Sequence, residues 1–236
     1  MSWPTLYAFG LERAIGTVCL TKDLVFTDIA SGKGAAMKHY ACAAGLLLCL
    51  MGCGGGGGGG GSGIDPRLAR LDIYEGQKLR VLGDPAAGVV GMAMTAEESI
   101  PTTGTMSLAG FATMRVETGS QPIILFGDAD LQIDFDTSAA QGAVTRVFGG
   151  SSDSDLADYA GTIDLQSNAV GQDMPLGYAG TLSGSGQTLG FAGEMTGVLL
   201  GNPASAFAGG DLEAQVNHNG TAREGTIVIV LEQNGV

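Results

Sequence analysis

The nine residues Asp128-Ala129-Asp130-Leu131-Gln132-Ile133-Asp134-Phe135-Asp136 alternate strictly between polar and apolar side chains. Four aspartates and a glutamine take one face, and Ala129, Leu131, Ile133 and Phe135 take the other. Successive side chains of a strand point to opposite faces, so a period of two sustained this long specifies a half-buried β-strand. Looser versions of the pattern run through Thr105–Ala109, Met114–Glu117, Gly142–Phe148, Tyr159–Ser167, Gly177–Gly184, Thr188–Leu200, Ala206–Asn217 and Glu224–Glu232. Spacers rich in Gly, Ser, Asn and Asp separate them, as antiparallel connections require. After Gly104 no convincing helical period appears. Ile100-Pro101-Thr102-Thr103-Gly104 marks the break before this domain, which occupies 100–236.

A degenerate unit recurs at uneven intervals: Leu108-Ala109-Gly110, Tyr159-Ala160-Gly161, Tyr178-Ala179-Gly180, Phe191-Ala192-Gly193 and Phe207-Ala208-Gly209. Uneven spacing argues against a solenoid or propeller. Each unit reads as one large inward side chain followed by a glycine where the strand coils or closes on a neighbour. Eight strands in this length suit a small soluble, eight-stranded, antiparallel up-and-down β-barrel, an all-β fold whose closure leaves no exposed edge. Ile133, Phe135, Tyr178 and Phe191 are expected to point inward. A membrane-spanning barrel of the same size needs an apolar outer face and aromatic girdles. The aspartate face of 128–136 and a single Trp, Trp3, do not supply them.

The chain of 236 residues carries 24 Asp+Glu against 11 Lys+Arg, a net charge of −13. That balance opposes the phosphate-neutralising surface of a nucleic-acid binder. Two histidines, His39 and His218, leave little material for His-based catalysis or a multi-His metal site.

The first hundred residues read as an address and a tether. Met37-Lys38-His39 is a short basic start, and Ala41–Leu50 an apolar run too short to cross a bilayer, which needs ~20 residues. Residues 37–52 therefore read as a signal peptide, with 1–36 an over-extended start or an unstructured leader. Of the four cysteines, Cys19, Cys42 and Cys49 precede the cleavage point, so the mature chain keeps only Cys53 and has no disulfide framework. Eight consecutive glycines, Gly54–Gly61, then Ser62-Gly63, have nothing to bury and form a tether spanning roughly 16–19 Å on average. A phosphate-binding loop would need a preceding strand, a following helix and usually Lys-Ser/Thr. In the short segment 64–99, two readings stay open. Asp65-Pro66 can cap a short helix ending at Gly76, or Leu71–Tyr74 and Leu79–Leu82 can pair as a hairpin.

Leu50-Met51-Gly52-Cys53 resembles a bacterial lipobox. The resemblance implies that Cys53 is the lipidation site, carrying diacylglycerol on its thiol and an acyl chain on its new amine. Several chains hold a membrane far more firmly than one. Gly54, rather than Asp, after the cysteine implies an outer-membrane address. Further on, Ile100–Gly110, Gly127–Val144 and the run Phe191-Ala192-Gly193 through Gly197, Gly201, Asn202, Ala204 and Gly209 resemble the barrel domain of transferrin-binding-protein-B-like bacterial lipoproteins. Leu199-Leu200 stands where that family usually has an aromatic pair, and one barrel leaves no room for a second lobe. The resemblance thus implies the fold, the lipoprotein setting and exposure on the outer leaflet, but not transferrin recognition.

No constellation for chemistry stands out, and the expectation is a protein that is not an enzyme, with no cofactor, no catalytic residue and no metal site. Asp128, Asp130, Asp134 and Asp136 lie roughly 6.5–7 Å apart in steps of two, too far for neighbours to share one Ca²⁺ without loop ligands. They read as a solvated face. Ser151-Ser152-Asp153-Ser154-Asp155 lacks the Gly and terminal Glu of an EF-hand, and His218-Asn219-Gly220 reads as a hairpin turn. Glu97-Glu98 reads as solvated connection. What remains is a non-catalytic binding module on an outer-membrane lipid anchor, meeting a protein or an iron or haem carrier through barrel-end loops. An envelope-structural or periplasm-facing lipoprotein and a lipocalin-like carrier with an open interior are the alternatives. The large negative charge favours a barrel held off an anionic membrane surface.

Overall fold

The computed structural model describes residues 65–233. The expected leader, signal peptide, Cys53 and glycine tether all lie outside the described residues. Helix α1 spans Pro66–Val81. A hairpin of two short strands, β1 (Gly83–Asp84) and β2 (Val89–Val90), follows. The barrel strands are β3 (Thr105–Val116), β4 (Ile123–Asp134), β5 (Ala139–Gly150), β6 (Ala157–Ser167), β7 (Asp173–Gly184), β8 (Gln187–Leu200), β9 (Ala206–His218) and β10 (Thr221–Glu232). Each pairs antiparallel with the next, and β10 pairs with β3 from Gly225↔Val116 to Glu232↔Ala109, closing the ring.

Alternation decides what fills the ring. Met114, Leu125, Leu131, Ile133, Ile163, Leu165, Leu182 and Leu189 are buried inside it, together with Phe135, Tyr178 and Phe191. All five large residues of the recurring unit, Leu108, Tyr159, Tyr178, Phe191 and Phe207, belong to this interior core. Phe207 shows why glycine accompanies them. A Cβ on Gly197, its cross-strand neighbour region on β8, would lie 2.0 Å from the Phe207 ring. The ring occupies the space that a side chain would need.

For residues 65–82 the structure selects the helix, and the hairpin reading does not hold. Asp65 caps it by accepting from the Arg67 backbone N–H at 2.9 Å, and Pro66 opens it at a position where no N–H is needed. The helix runs through Gly76 instead of ending there, because tertiary packing outweighs the ~1 kcal/mol propensity cost of one glycine. Its buried residues Leu71, Tyr74, Gln77 and Val81 form one stripe. That stripe lies on the outside of the barrel wall, against Phe111, Phe148, Val228 and Val230. Tyr74 stacks on Phe111 with ring centroids 5.0 Å apart, and the Gln77 amide donates to the Ala109 carbonyl at 2.8 Å. Strand β10 is therefore covered on both faces: Ile227, Ile229 and Leu231 face the interior, and Val228 and Val230 face α1. Its unbroken apolar run is the pattern of a strand buried on two sides.

The helix also corrects the reading of Asp128 as part of a solvated face. Only 19% of its side chain is exposed, because the Arg70 and Tyr74 side chains of α1 reach over β4 at this point. Its carboxylate accepts from Arg70 at 2.7 Å and from the Tyr74 hydroxyl, and pairs with Arg146. Arg70 in turn sits 4.6 Å over the Phe148 ring. Asp130 is exposed as expected. Asp134 accepts from the backbone of Asp136 and Thr137, shaping the β4–β5 turn.

Residues after the hairpin close one end of the barrel. Thr95 is fully buried; its N–H donates to Leu199 O at 2.9 Å and its hydroxyl to Gly201 O at 2.8 Å. Ile100 then packs against the interior core.

Two variants test this account by thermal or chemical denaturation. Asp128→Asn is expected to cost about 1–3 kcal/mol by leaving Arg70 and Tyr74 poorly paired, while Asp130→Asn stays within ~0.5 kcal/mol. Gly197→Ala is expected to cost about 1–3 kcal/mol by displacing the Phe207 ring.

Candidate functional site

The opposite end of the barrel is built from the β3–β4, β5–β6, β7–β8 and β9–β10 connections. Two of these are minimal turns. Ser185-Gly186 and Asn219-Gly220 both hold positive φ, at 49° and 71° and at 50° and 85°, which matches the twist of the flanking strands. The two turns are tied together, since Thr188 N–H donates to Asn219 Oδ1 at 2.8 Å and Asn219 N–H to Thr188 O at 2.9 Å. The longer connections are shaped by their own polar side chains. Thr118 donates to Gln121 O at 2.5 Å, and Ser151 donates to Asp155 at 3.0 Å.

Between these connections lies a recess of about 320 Å³ lined by Thr118, Ser120, Gln121, Ser151, Gln187 and His218, with Ile123 of the interior core at its floor. The side chains around that floor are polar, and none of them is a carboxylate, a lysine or an arginine. Gln187 Oε1 is buried and has no hydrogen-bond partner, so an acceptor is free at this end of the barrel. His218 closes β9 and lies beside the Asn219 amide at 3.2 Å, so the sequence reading of His218-Asn219-Gly220 as a hairpin turn agrees with the structure. Ser151, the first member of the serine–aspartate run, lines the recess. Glu97 and Glu98 lie in a 3₁₀ turn at the other end of the barrel, both exposed.

A second irregularity lies in the wall. The β8–β9 ladder is interrupted between Phe191↔Val216 and Thr196↔Gly210, and β9 bulges against β10 at Leu212 and Glu213. Inside this opened seam the Tyr178 hydroxyl donates to Asp211 at 2.7 Å, while the other Asp211 oxygen accepts from Glu213 N–H at 3.0 Å. The tyrosine reaches from β7 past Gly193, where a Cβ would lie 2.5 Å from its hydroxyl, so glycine is required for the crossing. Outside the same bulge, Leu212, Glu213, Gln215, Glu224 and Gly225 line an acidic recess of about 370 Å³. Sequence reasoning placed Tyr178 inward but did not find its partner. A signal existed: Phe207, Gly209 and Asp211 keep one phase, whereas Ala214 and Val216 keep the other, and a slipped phase marks a bulge.

Among the described residues, no group of three or more His, Cys, Asp or Glu side chains converges as a metal site.

Burial pushes the Tyr178 hydroxyl well above its ordinary value, and the Asp211 carboxylate adds to the rise. The unfolded chain releases this proton near 10 while the folded chain keeps it. The contribution is therefore full below about pH 10 and is lost as pH climbs toward the raised folded value. Denaturant midpoints measured at about pH 8 and about pH 11 are expected to fall with pH, and Tyr178→Phe is expected to reduce that fall. Tyr74 and Tyr159, also raised by burial, act in the same direction.

With the barrel and its loop end established, comparison with known proteins adds nothing further: neither a protein-family model nor a curated protein sequence matches the chain.

Proposed function

We propose that the chain is a lipid-anchored β-barrel of a bacterial outer envelope that acts as a non-catalytic binding module, in the manner of transferrin-binding-protein-B-like lipoproteins. Its partner, a protein or an iron or haem carrier, meets the loop end around Gln121, Ser151, Gln187 and His218. The observation that carries this reading is the packed interior. Side chains from all eight strands fill the ring, so binding is left to the surface, and the recess at the loop end is a concave polar surface free of carboxylates, unlike the acidic one at the β9 bulge. The same packing weighs against a lipocalin-like carrier, while a periplasm-facing lipoprotein remains the alternative for the side of the membrane on which the barrel sits. The outer face of β6, with Asp158, Ala160, Thr162, Asp164 and Gln166 all exposed, suits water better than lipid. A purely envelope-structural role makes no use of the unpartnered acceptor at the loop end.

The test displays the full chain on its native cells and follows two readouts. Labelled palmitate incorporation is expected in the chain and absent from Cys53→Ser; labelling of both, or of neither, overturns the anchor. Partner capture from growth medium is expected to be lost in Ser151→Arg and Gln187→Arg but kept in Thr137→Arg at the other end of the barrel. Equal capture by all three overturns the loop-end assignment.

A further inference from the structure

The hairpin that follows α1 is built unlike the rest of the molecule. Residues Pro85-Ala86-Ala87-Gly88-Val89-Val90 are all exposed, none carries a polar side chain, and Val90 reaches 91% exposure. Large apolar side chains left in water at the tip of a protrusion mark a contact surface more often than chance placement.

The backbone of this tip makes its own hydrogen bonds. The Ala86 and Ala87 N–H groups donate to Asp84 Oδ1 at 3.0 and 3.2 Å, and Gly88 N–H donates to Pro85 O at 3.2 Å. Pro85 has no N–H, and Val89 and Val90 pair with Asp84 and Gly83. Each backbone donor met within the tip lowers the cost of moving it out of water, which a lipid phase imposes on any segment entering it. A two-residue strand is also too short a ladder for capture of a partner by strand addition.

Charge distribution favours the same occupant. Residues 65–96 carry four Arg and Lys against four Asp and Glu and are neutral, whereas 97–233 carry three against seventeen. The helix and its hairpin are thus the one part of the described chain that an anionic surface does not repel, although the chain as a whole is strongly acidic. Reach agrees as well. The twelve steps from Cys53 to Asp65 extend to at most about 40 Å, and α1 is about 24 Å long, so a lipid on Cys53 leaves enough chain for the far end of α1 to touch the same leaflet.

We infer that the Pro85–Val90 hairpin is a membrane contact whose apolar tip enters the headgroup–acyl boundary of the leaflet that anchors the chain. The inference rests on the lipid-anchor reading of Cys53. It makes the hairpin a second point of attachment beside the lipid. The barrel stands off the surface with its acidic wall turned away.

The test separates the contact from cellular lipidation. The full chain with Trp3→Phe, Cys19→Ser, Cys42→Ser and Cys49→Ser is coupled through Cys53 to a maleimide-headgroup lipid in phosphatidylethanolamine–phosphatidylglycerol vesicles. Coupling holds the chain on the vesicle whether or not a cell lipidates it, so failure of palmitate labelling and failure of the contact are read independently. Val90→Trp is expected to emit at shorter wavelength on vesicles and to be quenched by lipids brominated high in the acyl chain. Adding Val89→Asp is expected to abolish both effects without lowering the melting temperature. Ala160→Trp, on the outer face of β6, is expected to remain water-like. The inference is overturned if Val90→Trp emits like Ala160→Trp and is not quenched. It is equally overturned if the shift occurs without vesicles and sedimentation shows a dimer, which would assign the hairpin to a second copy of the chain.

Discussion

An eight-stranded ring encloses a space just wide enough for side chains, so whatever points inward decides whether the ring holds. Here that space is filled by Leu, Ile, Met and a few rings, with glycines placed where a ring crosses a neighbouring strand. The wall follows from this requirement. Each strand must present an apolar residue at every second position, which leaves the outer face to be polar wherever water reaches it. It becomes apolar again where α1 covers it. The continuous apolar run of β10 and the alternating run of β4 obey one rule under two conditions of cover.

The outer face is also where the structure stores its polar specificity. Arg70, Tyr74, Asp128 and Arg146 form one connected group that fixes where α1 crosses the barrel. Arg80 with Glu232 fixes its other end near the close of β10. Partly buried pairs of this kind contribute little net attraction, because desolvation offsets much of the Coulomb gain. Their effect is to make any other placement of the helix costly, since a displaced helix would strand Asp128 beneath an apolar cover.

How much of this was legible depends on the range of the interaction. All eight barrel strands, their order of burial and the inward set Ile133, Phe135, Tyr178 and Phe191 follow from a period of two, which is a local property. Helix α1 was ambiguous because Gly76 is a local stop signal, while the surface that overrides it, Phe111 and Phe148, lies on other strands. Asp128 looked like its neighbours Asp130 and Asp134 because nothing within nine residues reveals which of them a distant helix will cover. The recess at the loop end was invisible for the same reason. Thr118 and Ser151 come from two separate connections and Gln187 and His218 from the ends of two strands, and only ring closure gathers them.

Closure has a kinetic side. Seven of the eight seams join strands that are neighbours in sequence, so each can form as a hairpin from local encounters. The eighth, between β3 and β10, needs residues as remote as Ala109 and Glu232 to meet, and the entropy of closing that loop is recovered only once the ring is complete. The assembling chain therefore carries two unpaired edges until the last step. One of those edge strands, β10, is also the most continuously apolar among the described strands. Helix α1, made early from contiguous residues and lying across that seam in the finished fold, is the natural cover for the edge during the wait.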